Sequence, residues 1–308
     1  MKTGASGIFY LGKGGAGKTT IAALTAVALS QQRYPTALIS MDPAHNLFDI
    51  FQIQSSDTTI DLSVNLRLEE IDPATWLKKY LKTIEEQISR SYQYLTSLGL
   101  EKNLQILRYA PGLEEYALLY AYKAIREKYA GYRYLIIDMP PTALALRFFA
   151  LPQLSQIWLA QLVKMRKTIL EKAKIIEDIH KKRLDQVPDR ILKKLNSLME
   201  ENKNISAQFS PEGNSSLYIV MNNDKLSVEE SVDIYEKFQI SGLTISGFIL
   251  NKAGSADERL MTHEVFRQPF ILKLQESAKP LIGLEMLSGF ASGTVFQTFI
   301  SDLIQQQK

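Results

Sequence analysis

Short apolar runs alternate with longer stretches of helical spacing along most of the chain, and each run stops at a glycine-, proline- or acid-bearing turn. The first run, Ile8-Phe9-Tyr10-Leu11, enters Gly12-Lys13-Gly14-Gly15-Ala16-Gly17-Lys18-Thr19-Thr20, and an Ala/Leu/Thr-rich helix over about 18–32 leaves it. Thr36-Ala37-Leu38-Ile39-Ser40-Met41 is a continuous apolar run with proline on both sides, the pattern of a parallel strand covered on both faces. Tyr134-Leu135-Ile136-Ile137-Asp138, Leu217 to Met221, and Ile245-Ser246-Gly247-Phe248-Ile249-Leu250 are further strands. Helical spacing fills the intervals. Leu77, Tyr80, Leu81, Ile84, Ile88 and Leu95 mark a helix over 74–97, and another runs through about 128. From Pro152 to about Asn204 the stripe is Leu154, Trp158, Leu162, Met165, Ile169, Ile176 and Ile179, broken at Gln186-Val187-Pro188 and resumed by Ile191, Leu195 and Leu198. Ser206 to Ser216 reads as a polar loop. Ser227, with Glu230 three residues on, has the spacing of a capping box, and a last helix covers about 293–306. Strands alternating with helices predict an α/β fold with a doubly wound, mostly parallel sheet. The expectation is a single domain over 1–308, with segments 74–130 and 152–205 building a helical subdomain.

Gly12, Gly17, Lys18 and Thr19 occupy the fixed positions of a phosphate-binding loop, G-x-x-x-x-G-K-[ST]. Glycines alone would also suit a ligand-free strand–helix turn, but the strand entering and the helix leaving make this the loop of a P-loop NTPase. Its chemistry needs backbone N–H groups turned inward on phosphates, which Gly12, Lys13, Gly14, Gly15, Ala16, Gly17 and Thr20 would supply, and a helix N-terminus favouring anions. Lys18 should reach the β- and γ-phosphates of ATP or the diphosphate of ADP, and Thr19 should ligate Mg²⁺. Asp42 ends a strand, where ligands bind in open α/β sheets. Asp138 ends another apolar strand in the Walker B pattern, a carboxylate that holds magnesium.

Composition narrows the chemistry. Hydrophobic residues make up 45% of 308, and no run of about 18 apolar residues occurs, so no transmembrane span is expected. The few residues before the loop do not form a signal peptide, so a cytoplasmic location is expected. The absence of cysteine excludes disulfides, thiolate zinc sites and thiol-bound metalloids, and three scattered histidines cannot replace them. Net charge is only +3, which argues against nucleic acid as a partner, yet eleven Lys/Arg face five Asp/Glu between Lys164 and Lys194.

The second lysine of Gly12-Lys13-Gly14-Gly15-Ala16-Gly17-Lys18-Thr19-Thr20 resembles the deviant loop of the MinD, ParA, nitrogenase-iron-protein and arsenite-pump ATPases. The resemblance implies that Lys13 crosses a homodimer interface to the partner's nucleotide. Asp42-Pro43-Ala44-His45-Asn46-Leu47, with Asp49 and Phe51, narrows this. It resembles switch I of the arsenite-pump (ArsA) and tail-anchored-protein-targeting ATPase family, which implies that Asp42 orients the attacking water and lies at the metal. Asn65-Leu66-Arg67-Leu68-Glu69-Glu70-Ile71-Asp72-Pro73 and Pro111-Gly112-Leu113-Glu114-Glu115 are similar to further family segments. Asp138, Pro141, Thr142, Leu146 and Arg147 match its switch II, with departures at Met139, Pro140 and Ala143-Leu144-Ala145; the alanine stiffens the loop. Asn251 matches the residue that reads adenine, its amide suiting N6 and N7, and Pro280 to Glu285 loosely matches an adenine-covering loop. The implied activity is Mg²⁺-dependent ATP hydrolysis by a homodimeric switch, serving a membrane pump partner or an apolar client helix. That role would place the chain peripherally at a membrane. A MinD/ParA-like positioning ATPase is the alternative. For the helical segments, plain packing on the domain is the competing account of the apolar stripes, and a solvated face that of the lysines.

Overall fold

The computed structural model describes residues 4–44, 47–91, 112–180, 189–210, 212–253, 264–267 and 270–307. Pro111, Leu95, His45, Asn46 and the break at 186–188 lie outside the described residues, as do the side chains of Ile88, Ile176 and Ile179.

Among the described residues eight strands form one sheet. They are β1 (Ser6–Leu11), β2 (Thr36–Ser40), β3 (Thr59–Ser63), β4 (Leu66–Glu70), β5 (Tyr134–Asp138), β6 (Ser215–Asn222), β7 (Gly247–Ala253) and β8 (Phe270–Gln275). Their spatial order is β3-β4-β2-β5-β1-β6-β7-β8, parallel throughout except where β3 meets β4. From β1 the chain crosses to β2 and the β3–β4 edge, returns to β5 beside β1, and then runs out through β6, β7 and β8 on the other side, so the carboxyl ends of the central strands open onto a shared crevice, the usual ligand position of such sheets. In the registers Ser40 and Tyr10 both sit opposite Asp138, which brings three strand ends to one level.

Helix α1 (Lys18–Gln31) is buried from Ile21 to Leu29, because small and apolar residues occupy every side of it. It anchors the core with Ile8, Leu38, Ile136, Val220 and Ile249 from the sheet. A short α2 (Leu47–Ile50) follows β2. The pair α3 (Pro73–Ser91) and α4 (Leu113–Lys128) share an aromatic seam, with Trp76 and Tyr80 against Tyr120 and Tyr116 at ring distances of 5.9 and 6.0 Å. Toward the chain end come α7 (Lys225–Ile240), α8 (Leu284–Ala291) and α9 (Thr294–Gln306).

The described chain forms two compact units, Met1–Phe148 with Asn214–Lys308, and Phe149–Gly213. The second consists of most of α5 (Thr142–His180) and of α6 (Arg190–Phe209). These two run antiparallel. Phe149 packs edge-on against Phe209 at 4.8 Å, Gln156 donates to Ser206 at 2.8 Å, and Arg166 pairs with Asp189 at 2.6 Å. Asp189 also caps α6 by accepting from the Leu192 N–H, and those bonds hold its carboxyl below the usual range.

Three local expectations are corrected. Helix α5 starts at Thr142 and carries Pro152 inside it, where the ring gives up one helical hydrogen bond. The expected loop over 206–216 is instead the end of α6 and the start of β6. Past the end of α6 the Gly213 N–H donates to the Ser210 carbonyl at 2.8 Å, and a Cβ on Gly213 would meet the Gln208 carbonyl oxygen at 2.2 Å. Ser227 is not the cap of α7: Asp224 accepts from the Ser227 N–H at 2.9 Å, the Ser227 hydroxyl accepts from Asn222, and Glu230 instead receives the Thr142 hydroxyl at 2.8 Å.

Candidate functional site

The loop between β1 and α1 needs its glycines for identifiable reasons. Gly12 has φ 139°, and a Cβ there would lie 2.1 Å from the Val220 carbonyl oxygen, because the loop leaves β1 pressed against β6. Gly17 (φ 94°) turns the chain into α1, whose N-terminus no side chain caps. The helix's first N–H groups therefore remain for a ligand. Gly14 and Gly15 are exposed, and the Ala16 N–H donates to the Lys13 carbonyl at 3.2 Å. Lys18 is only 4% exposed, and its ammonium reaches the Lys13 carbonyl at 3.4 Å. A cation buried this far needs anionic company, and phosphate is the anion that a glycine-lined turn admits.

Asp138 lies at the bottom of the crevice with no exposure. One oxygen, Oδ2, accepts from the Thr19 hydroxyl at 2.8 Å and from the Ser40 hydroxyl at 3.3 Å. The other, Oδ1, is buried without a partner. Burial pushes this carboxyl up to about 7; Asp42 adds to the rise, while Thr19, Lys18 and Ser40 oppose it. An orphaned carboxylate oxygen beside a threonine hydroxyl is an oxygen-donor pair that fits a hard cation such as magnesium. Among the described residues no cluster of three or more His, Asp or Glu side chains could hold a metal. A cation here would therefore need phosphate oxygens and water to complete its shell, as magnesium at a nucleotide does.

Asp42 leaves β2 on the same level and is part-buried. Its Oδ1 accepts from the Ala44 N–H at 3.0 Å, so the carboxylate folds over its own Asp-Pro-Ala turn. Glu70, whose place in the site the sequence reading did not single out, holds the next helix. Its Oε1 accepts from the N–H groups of Leu47 and Phe48 at 3.0 and 3.2 Å. No spacing in the sequence pointed to it, because these bonds join residues 23 and 22 positions apart.

Asn251, on β7, is brought to the loop itself. Its amide donates to the Ala16 carbonyl at 3.0 Å and its oxygen accepts from the Lys252 N–H at 3.0 Å. A cavity of about 570 Å³ opens beside it, lined by Gly15, Gly17, Thr20, Pro280 and Leu281 among others. That is within the ordinary range for small-molecule sites. Lys252, with φ 52°, and Ile50 also line it, and the Gly283 N–H donates to the Ile50 carbonyl at 2.7 Å. The structure thus gathers Lys13, Lys18, Thr19, Thr20, Asp42, Asp138 and Asn251 around one loop. The segment that resembles switch II is helical from Thr142 onward, and Arg147 pairs with the buried Glu115 at 2.5 Å.

A family model described as "Anion-transporting ATPase" matches residues 6–271. The chain is similar to "Putative arsenical pump-driving ATPase 1" of Aquifex aeolicus, 30% identical over 256 residues, 80% of this chain and 62% of the relative. It is also similar to "Putative arsenical pump-driving ATPase" of Chlorobaculum tepidum, 28% identical over 279 residues, 88% of this chain and 68% of that one. The chain thus spans less than two thirds of the length of the Aquifex relative. Among the described residues no helix is long and apolar enough to cross a membrane.

Proposed function

The chain belongs to the anion-transporting ATPase family, and from that premise we propose that it hydrolyses ATP with magnesium, as a homodimeric switch for a membrane-linked transport or targeting task. The observation that carries this is the pairing, across one loop, of a buried lysine with a buried carboxylate that keeps one oxygen free. The loop's N–H groups and Lys18 bind the β- and γ-phosphates and fix the scissile group. Thr19 and Asp138 would hold magnesium, which when bound neutralises phosphate charge. Asp42 leaves its turn, accepts a hydrogen bond from a water and aims it at the γ-phosphorus. Phosphoryl transfer has a loose transition state, so aiming the water is most of what a carboxylate contributes. The side chain of Asn251 and the 280–282 wall receive the adenine. Lys13 reaches the nucleotide of a second copy, so turnover depends on two chains meeting.

Without cysteine the chain cannot bind a metalloid by thiolates; its part is to energise or carry, in the cytoplasm or peripherally at a membrane. The test is ATP turnover by the purified chain with and without magnesium, then with arsenite and with an apolar helical peptide. No magnesium-dependent turnover in any of these conditions refutes the proposal. Stimulation by arsenite selects the pump role, and retention of the peptide selects the carrier role.

A further inference from the structure

Two asparagines end neighbouring strands beside the glycine loop. Asn222 of β6 and Asn251 of β7 are register partners, so their side chains leave the same face of the sheet at one level. The loop crosses both strand ends. Gly12 presses on the Val220 carbonyl of β6, the Asn222 amide donates to the Gly15 carbonyl at 3.5 Å, and the Asn251 amide donates to the Ala16 carbonyl at 3.0 Å. Gly17 leaves room for this last contact, since a Cβ there would stand 2.3 Å from the Asn251 Nδ2. The Asn251 amide is itself held. Its oxygen accepts from the N–H of Lys252, whose φ of 52° lies in the left-handed region that non-glycine residues seldom adopt. Such a conformation persists only where its surroundings fix it.

We propose that Asn251, seconded by Asn222, is a positioning residue that sets the glycine loop in its phosphate-binding shape. This rests on the nucleotide reading above and deepens it, because Asn251 then serves the phosphates as well as the adenine. Four glycines between positions 12 and 17 open many backbone conformations to the loop. Gly14 and Gly15 have no atom within 4 Å of where a Cβ would be, so packing does little to restrict them. Holding two successive carbonyls against the strand ends removes much of that freedom before a ligand arrives, and binding then costs less ordering. It also selects a direction. In a trans peptide the C=O and the following N–H point opposite ways. Tying the Ala16 carbonyl to Asn251 therefore turns the Gly17 N–H away from β7, and adds it to the uncapped N–H groups that open α1 as a donor for phosphate. Ala16 and Lys252 take one N–H and one lone pair of the amide, which leaves one of each for the base.

The experiment titrates the full chain by calorimetry, with magnesium, against ATP and against inorganic tripolyphosphate, which offers the loop phosphates without a base. Asn251→Ala should weaken tripolyphosphate roughly fivefold, the worth of about one hydrogen bond, and weaken ATP by at least as much. At saturating ATP kcat should fall as well, because a loosened loop aligns the γ-phosphate less well. Asn251→Ser keeps a polar side chain but lacks the amide; it should match Asn251→Ala, and it carries the test if the alanine variant does not fold. Asn222→Ala should weaken tripolyphosphate in the same direction by a smaller factor, its contact being longer. Tripolyphosphate bound as tightly by the Asn251 variants as by the parent overturns the proposal: with ATP weakened, Asn251 serves adenine alone, and with ATP unchanged it serves neither. Fewer sites per chain at unchanged affinity, the signature of a merely structural role, overturns it too. A parent that hydrolyses ATP while its Asn251 variants keep full tripolyphosphate affinity sinks this inference alone. A parent that binds tripolyphosphate through Asn251 but does not hydrolyse ATP sinks the proposed activity alone, and one that binds neither ligand sinks both.

Discussion

Asp138→Asn should make the nucleotide-free protein more stable while destroying its magnesium-dependent turnover. The carboxyl is raised from an ordinary 3.8 to about 7, chiefly by burial. A raised carboxyl means that the native state holds the proton more tightly than the unfolded chain. Its contribution to stability is therefore complete below about pH 4, falls as pH rises toward 7, and is flat above that. Three pH units at about 1.4 kcal/mol each put the penalty near 4 kcal/mol at pH 8, against about 1.7 kcal/mol at pH 5. Asparagine removes the charge and can still accept from Thr19 at 2.8 Å. Its amide then occupies the orphaned position with no acceptor, at a cost of roughly 1–3 kcal/mol. The net gain should be about 1–3 kcal/mol at pH 8 and near zero at pH 5. Because the amide penalty does not titrate, the difference between the two pH values, about 2–3 kcal/mol, is the sharper quantity. Urea unfolding with a magnesium chelator, read through Trp76 in a Trp158→Phe background, reports the unit that contains the site. A parent and variant whose stability gap is the same at pH 5 and pH 8 would refute the claim that Asp138 is buried at a cost.

Gly12→Ala should destabilise by about 2–4 kcal/mol, since both its φ of 139° and the Val220 carbonyl at 2.1 Å oppose a Cβ. Gly14→Ala, with nothing within 4 Å, should stay within about 0.5 kcal/mol in the same denaturation assay. Asp42→Asn should bind ATP with parental affinity in calorimetry yet lose at least about 100-fold in turnover; unchanged hydrolysis would free Asp42 of its role. Lys13→Ala should fold normally but remain monomeric in sedimentation with ATP, and a dimer indifferent to the change would remove the lysine from any interface.

The fold was legible wherever a strand is buried on both faces. The central strands β1, β2, β5 and β6 are almost wholly apolar and covered, so their runs stood out. Edge strands did not. In β3, Thr59-Ile60-Asp61-Leu62-Ser63 is partly exposed and too polar to announce itself, and it pairs antiparallel with β4 through a short turn at an exposed Val64. In β8, Leu272 and Leu274 are buried while Lys273 and Gln275 face out. The glycine loop was legible because two of its glycines, Gly12 and Gly17, stand where a Cβ would collide and φ is positive. Asp138 was legible as the end of an apolar run, but its unpartnered oxygen was not, because that depends on which neighbours happen to reach it. Glu70 and the Ile50–Gly283 bond escaped for the same reason: they join segments far apart in the chain, and no spacing rule connects them.

That bond bears on how a nucleotide would be sensed. Asp42 lies at one end of a short stretch and Ile50, the last residue of the four-residue α2, at the other, and the first two N–H groups of α2 donate to Glu70 on the neighbouring strand. A helix of one turn has almost no stability of its own, so its position follows whatever holds its ends. One end carries the carboxylate proposed to aim the water. The other lines the 570 Å³ cavity and is tied at 2.7 Å to the loop proposed to cover the base. In the proposed mechanism, phosphate and adenine therefore act on the two ends of this stretch, Asp42 and Ile50. In the same proposal, the helix that begins at Thr142 leaves less freedom to the segment that resembles switch II, which places more of the conformational response on this one.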